Sequence, residues 1–83
     1  MASYKLLIKP SAVKEFEALP VRNRRRIVMR IRALSTDPRP PGCETLTGKE
    51  LYRVRQGHFR VLYSISDSDL TLIVFKVGHR REV

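Results

Sequence analysis

The sequence has little of what secreted, metal-bound or membrane proteins need. It holds one cysteine, Cys43, so no internal disulfide can form, and a reducing cytoplasm is the expected compartment. Two histidines and one cysteine without ligand spacing argue against a structural zinc site, and no metal or cofactor is expected. The longest unbroken apolar run, Leu72–Phe75, is far shorter than the ~20 residues of a membrane span, so no membrane partner is expected. Met1-Ala2-Ser3-Tyr4-Lys5 carries no apolar h-region or cleavage site, so no secretion signal is expected. There is no internal repeat. Acidic residues are scarce: 8 Asp and Glu stand against 17 Lys and Arg, a formal net charge of +9.

What is present suits one small basic domain over residues 1–83. A chain of this size buries only about 60% of the surface it exposes when unfolded. Any active site should therefore lie open on the surface. Hydrophobic residues make up 42%, enough for one core and too many for a disordered chain. Twelve of the 17 basic residues are Arg, whose planar fork of donors suits phosphate and carboxylate better than the point charge of Lys. Such a balance points to a polyanionic partner.

The patterning predicts a strand from Tyr4 to Lys9, broken at Pro10-Ser11, with Ser11 as N-cap of a short helix. Val13, Phe16 and Leu19 share one helical face. Pro20 then sits near the start of a second helix from about Val21 to Leu34, with Ile27, Val28, Ile31 and Leu34 as its apolar stripe. The run Arg24-Arg25-Arg26 reads as the solvated back of that amphipathic helix rather than a nucleic-acid arm. Ser35–Gly42, with three prolines and a glycine, is a loop. Three further strands are predicted: Leu51–Arg55, His58–Ser66 and Leu70–Val77. Gln56-Gly57 and Asp67-Ser68-Asp69 are the turns between them. The expected class is α+β: an N-terminal strand, an α-helical hairpin, then an antiparallel three-strand meander in one small mixed, twisted sheet.

Register sharpens this. With Gln56-Gly57 as the loop, Arg55 opposes His58, Val54 opposes Phe59, Arg53 opposes Arg60 and Tyr52 opposes Val61. Opposed residues share a face. One face then carries Arg53, Arg55, His58 and Arg60; the other carries Tyr52, Val54, Phe59, Val61, Tyr63 and Ile65. A three-residue turn at Asp67–Asp69 adds Ile73, Phe75 and Val77 to the core face and keeps Lys76 on the basic one. Continued alternation brings Arg80 to the basic face. Arg53 opposite Arg60, with no carboxylate evident in the strand, violates a local stability rule, as functional sites do. The face reads as an anion pocket that grips phosphate.

Two segments carry a resemblance. Leu46-Thr47-Gly48-Lys49-Glu50-Leu51-Tyr52-Arg53-Val54-Arg55-Gln56-Gly57-His58-Phe59-Arg60-Val61-Leu62-Tyr63 resembles the central hairpin of the RelE family of bacterial and archaeal toxins. Val77-Gly78-His79-Arg80-Arg81-Glu82-Val83 resembles that family's last strand and tail. The helical hairpin and the Asp37-Pro38-Arg39 loop fit as well. The resemblance implies a toxin of a type II toxin–antitoxin pair: a metal-independent endoribonuclease that cuts mRNA in the ribosomal A site and stops translation. The RNA 2′-OH attacks the adjacent phosphate and a 5′-OH leaves.

Residue by residue, Arg53 and Arg55 match two basic positions of the family, Arg60 its phosphate-gripping Arg and Arg80 its C-terminal catalytic Arg. His79 is the candidate for proton transfer. RNA contacts are expected from Arg53, Arg55, His58, Lys76 and Arg81. The family's catalytic Tyr would follow Arg80 and does not occur in Arg81-Glu82-Val83, which implies a trimmed sequence, another group in that role or a weakened activity. The implied partners are the ribosome, its mRNA and a cognate antitoxin with acidic and amphipathic parts that folds on binding. Two other readings remain: a gyrase-inhibiting toxin of the sister ParE family, which shares the fold but not the basic catalytic set, and a non-catalytic nucleic-acid-binding module.

Overall fold

The elements run in the order β1 (Lys5–Ile8), α1 (Pro10–Glu17), α2 (Val21–Leu34), β2 (Glu44–Thr45), β3 (Tyr52–Gln56), β4 (Phe59–Ser66) and β5 (Thr71–His79). The structure, a computed structural model, describes residues 3–46, 48 and 50–79. The strands form one sheet in the order β1-β5-β4-β3-β2. β1 runs parallel to β5, and the other pairs are antiparallel. This is the expected α+β arrangement, with the two-residue β2 added beside β3. Among the described residues no helix is long and apolar enough to cross a membrane.

Local chemistry explains the helix ends. Pro10 is itself the first residue of α1, and Lys9 is the N-cap, so Ser11 is not the cap. Proline suits that position because its missing N–H would have had no partner and its φ is already helical. Pro20 caps α2, whose bounds are those the sequence predicts. Ile27, Ile31 and Leu34 are buried and Val28 is half-buried, so the predicted stripe faces the sheet.

Val54, Val61, Tyr63, Leu72, Val74 and Val77 meet Ala12 and the α2 stripe in the core, with Tyr52, Phe59 and Ile65 packed at its margin. Each fully buried Val, Leu or Ile side chain contributes about 1.5–3 kcal/mol. The core-facing set expected for β3 and β4 is therefore present.

Two turns differ from expectation. The β3–β4 loop is Gly57-His58, so Gln56 pairs with Phe59, Arg55 with Arg60, Val54 with Val61 and Arg53 with Leu62. Gly57 holds φ at 62°, at the first loop position, which glycine fills without steric penalty. The loop thus slides by one residue and every partner moves by two places. Period-two alternation leaves Arg53, Arg55 and Arg60 on their expected face, while His58 passes into the loop.

The β4–β5 turn spans four residues, Asp67–Leu70, with Leu70 in the left-handed region at φ 48°. The extra residue reverses the facing of the start of β5. Leu72 and Val74 enter the core, in place of the expected Ile73 and Phe75. A bulge at Phe75 restores the original facing: Tyr63 pairs with Val74, but Leu62 pairs with Lys76 and Val61 with Val77. Val77 is in the core and Lys76 is on the other face, as expected.

Polar contacts pin the proline-rich loop to the sheet. The Tyr63 hydroxyl donates to the Pro38 carbonyl at 2.7 Å and lies 3.2 Å from Cys43 Sγ. Arg39 donates to both Asp67 carboxylate oxygens and to the Tyr52 hydroxyl. The Tyr4 hydroxyl donates to Asp67 Oδ1 at 2.6 Å. β1 stops pairing at Ile8, so the far half of β5 has an open edge. There Glu15 of α1 accepts the Val77 amide at 3.2 Å and the Lys76 ammonium at 2.8 Å.

Candidate functional site

Alternation in β3 and β4 puts Arg53, Arg55, Arg60 and Leu62 on the face opposite the helices. β5 adds Lys76 and Gly78 to that face. Across the strands the rows read Arg53, Leu62, Lys76 and then Arg55, Arg60, Gly78. Gly78 has no side chain, so across the strands Arg60 meets no side chain on one side and a like charge, Arg55, on the other. The opposed arginines are thus Arg55 and Arg60, not Arg53 and Arg60; of the expected cluster Arg53, Arg55 and Arg60 share the face, and His58 does not join them.

Arg53 has a partner that the strand pattern does not reveal. The two-residue β2 lies against β3 with Glu44 opposite Arg53, and the Arg53 guanidinium donates to Glu44 Oε2 at 3.1 Å. That hydrogen bond holds the Glu44 carboxyl below its ordinary range, with added attraction from Arg60 and Arg55. Glu44 is therefore an ionised carboxylate at the edge of the arginine cluster. No carboxylate is evident within the hairpin strands themselves; Glu44 comes from the neighbouring β2. The Nε–H groups of Arg53 and Arg60 are buried and have no acceptor among the described residues.

His79 is placed elsewhere. It pairs with Phe59, and its register puts it on the Phe59 side of the sheet. Its ring meets Phe59 edge-on at 5.9 Å and stacks on His58 at 6.3 Å with planes 11° apart. His58 lies in the exposed β3–β4 turn rather than on the arginine face. The two histidines thus meet at the end of the sheet, beside the Arg55–Arg60 row but not within it. Lys76 shares the arginine face by register and reaches back to Glu15. Arg80 and Arg81 lie outside the described residues. Among the described residues no group of three His, Cys, Asp or Glu side chains gathers to hold a metal ion.

Glu44 is the site residue that sequence reasoning missed. A strand of two residues has no period to read, and its pairing with Arg53 is a long-range fact.

The family described as ParE toxin of type II toxin-antitoxin system, parDE, matches residues 6–83. No curated protein sequence matches the chain. Among solved structures, the toxin–antitoxin complex RelBE2 from Mycobacterium tuberculosis has a similar chain, with 26% identity and a TM-score of 0.86. The match covers 96% of this chain and 94% of that one. The archaeal RelE-RelB complex from Pyrococcus horikoshii is similar at 29% identity and a TM-score of 0.82, covering 98% of this chain and 99% of that one. A chain of the intact Escherichia coli RelBE toxin-antitoxin complex shares the fold at 22% identity and a TM-score of 0.82, covering 93% and 96% of the two chains. With the family match spanning nearly the whole sequence and the sheet and helical hairpin in common, this chain belongs to the ParE toxin family, within the RelE/ParE superfamily of type II toxin–antitoxin toxins.

Proposed function

We propose that this toxin is a ribosome-dependent, metal-independent endoribonuclease that cleaves mRNA in the A site and so stops translation. The observation that carries the reading is the gathering of Arg53, Arg55 and Arg60 on one face of the sheet. Phosphodiester cleavage by the neighbouring 2′-OH needs little covalent help from the protein. The 2′-oxygen bonds to phosphorus, its proton goes to a base, the bond to the 5′-oxygen breaks and that oxygen takes a proton. Negative charge builds on the phosphoryl oxygens on the way. Guanidinium groups fixed in advance offset it, and removing one such donor typically lowers the rate by about 10²–10³.

Roles follow from position. Arg60 is the central phosphate grip, with Arg53 and Arg55 on the flanking strand. Arg80, two residues beyond Gly78 in the sequence, is assigned to the same phosphate. Arginine is too weak a base to take the 2′-OH proton, and His79 is assigned to proton transfer, positioned by His58 and Phe59. Lys76, His58 and Arg81 extend the contact to the flanking RNA. The site acts at the ribosome, which places the protein in the cytoplasm. Its inhibitor is a cognate antitoxin with acidic and amphipathic segments. The similar RelBE2 and RelE-RelB structures, which are complexes of that kind, support this pairing.

The match to the ParE family over residues 6–83 favours a second reading, inhibition of DNA gyrase. Primer extension on a ribosome-bound message and a supercoiling assay separate the two. Codon-internal cuts by the wild-type protein, lost in Arg60→Ala, support the ribonuclease. Intact message with inhibited gyrase overturns it in favour of the second reading. Salt-sensitive binding with neither effect overturns both in favour of a simple binding module.

A further inference from the structure

We propose that Phe75, turned out onto the solvent side of the sheet, is a stacking platform for one nucleobase of the message, beside the arginine cluster that holds its phosphate. This placement rests on the function proposed above, because a phosphate held by the arginines is what brings a base within reach.

The face of the sheet opposite the helices is not uniformly polar. β1, β5 and β4 set Leu7, Ile73 and Ser64 side by side there, and the next row holds Lys76, Leu62 and Arg53. Phe75 stands between these rows on β5, at the bulge, without a paired residue in β4. Leu7 is 43% exposed, and Leu62, Ile73 and Phe75 are half-buried. None of the four belongs to the core or to the half-buried residues packed against it. An antiparallel sheet with one face in water is expected to carry polar side chains on that face. Single exposed apolar residues are ordinary, but four at adjoining positions mark an interaction surface.

The bulge accounts for the facing of Phe75 but not for its identity. Leu72 and Val74 point into the core, so one unpaired residue is needed before Lys76 can face outward and Val77 inward. Any polar side chain would serve in that place. Here it is an aromatic ring, and a cation lies beside it. Lys9 follows β1, its amide donates to the Val74 carbonyl at 3.0 Å, and its ammonium lies 4.1 Å from the centroid of the Phe75 ring. The apolar strip is therefore bordered by Lys9 on the β1 side and by the arginine cluster on the β3 side.

A single RNA strand has the matching pattern, with flat apolar bases hung between charged phosphates. Arg60 and Leu62 are two residues apart on β4, about 7 Å, and β5 lies about 5 Å across from β4. A nucleotide whose phosphate is held at Arg60 can thus lay its base over Leu62 and against the Phe75 ring. An amphipathic peptide helix needs a longer row of anchors, at i, i+3, i+4 and i+7, and Ser64 and Lys76 bound the strip before such a row is complete. Stacking accepts every base, because each has a π-face. The platform therefore sets where the strand lies on the arginines without choosing a codon.

The test is fluorescence anisotropy of the full-length protein at low salt with two labelled single-stranded hexanucleotides. Both are 2′-O-methylated, which blocks cleavage; one carries adenine at every position and the other has the same backbone without bases. Four proteins are compared: wild type, Phe75→Leu, Phe75→Trp and Arg60→Gln. Phe75→Leu is expected to weaken the adenine hexamer by about tenfold and to leave the abasic one unchanged. Phe75→Trp should bind as the wild type does. The chain has no tryptophan of its own, so the fluorescence of that variant reports on the platform alone, and the adenine hexamer but not the abasic one should quench it. Arg60→Gln should weaken both hexamers, as a phosphate contact does. Phe75→Leu keeps an apolar side chain at a position outside the core, so its melting temperature should match wild type, which separates lost stacking from lost folding. Equal binding of the adenine hexamer by wild type and Phe75→Leu overturns the proposal. So does loss of both hexamers in Phe75→Leu, equal loss in Phe75→Leu and Phe75→Trp, or absence of hexamer binding by the wild type. A loss in Phe75→Leu confined to an acidic amphipathic peptide overturns it as well and gives the strip to a peptide. Message cleavage by Arg60→Gln is scored separately. Wild-type cleavage there overturns the proposed function, whereas unchanged hexamer binding in Phe75→Leu overturns only the platform.

Discussion

Arg55 and Arg60 stand directly opposite one another across β3 and β4, two guanidinium groups in one row of the outer face. Like charges so placed destabilise a sheet by roughly 0.2–1 kcal/mol. The nearby Glu44 hydrogen-bonds Arg53 rather than either of them. Arg60→Gln should therefore melt no lower than wild type, while message cleavage falls by about 10²–10³. Calorimetry and primer extension on the same preparation check both halves. A variant that cleaves at the wild-type rate removes Arg60 from the mechanism.

The limits of sequence reading show at particular residues. The faces of β3 and β4 were legible because alternation survives a sliding turn: Gln56 joins the strand, yet Arg53, Arg55 and Arg60 stay together. β5 was legible only at its far end. One added turn residue, Leu70, and one bulge, at Phe75, each reverse the facing. They cancel at Lys76 and Val77 but not at Ile73. Neither has a local signature, since leucine is a poor choice for positive φ and Phe75 simply ends an unbroken apolar run. α2 was legible throughout because its stripe repeats over 14 residues and a proline marks its start. Glu44 was not, because its meaning depends on a partner nine residues away across a loop.

Glu15 carries two bonds at the open edge of β5, one to the Val77 amide and one to Lys76. Glu15→Ala takes the acceptor from a backbone donor beside the core and should destabilise the fold by about 1–3 kcal/mol. Glu15→Gln keeps a carbonyl for that amide and should lose less than half as much. Urea unfolding of the two variants measures the difference, and hydrogen exchange at Val77 locates it. Equal losses would mean that charge, not the amide bond, holds this edge.

Asp67 controls the acid limb of stability. Its carboxyl is held below the ordinary range, first by the Arg39 hydrogen bond and then by the Tyr4 hydroxyl. A depressed folded-state value means that its contribution is present above the unfolded-state value, about 3.9 for Asp, and is lost as pH falls through the folded value. Glu44, held down by Arg53, acts in the same direction. Melting temperature should therefore drop on acidification below about pH 4. Asp67→Asn should start lower at neutral pH and show a shallower drop. An acid limb of unchanged depth in Asp67→Asn would assign the loss to other carboxylates.

The stacked rings of His79 and His58 stand at the end of the sheet rather than on the arginine face, so a proton moved by His79 must pass around that end. The chain reaches Arg80 one residue later, which places the histidine next in sequence to an assigned phosphate contact. Histidine is the residue type whose ordinary proton affinity lies near neutrality, and general acid–base help is typically worth about 10²–10⁴ in rate. His79→Ala should lower cleavage by about 10² or more. His58→Ala removes the stack but not the transferring ring, and should lose less than about tenfold. Phe59 also contacts His79, edge-on, so a melting curve on each variant separates loss of packing from loss of proton transfer. Wild-type rates in both variants would leave the base to be supplied by the ribosome.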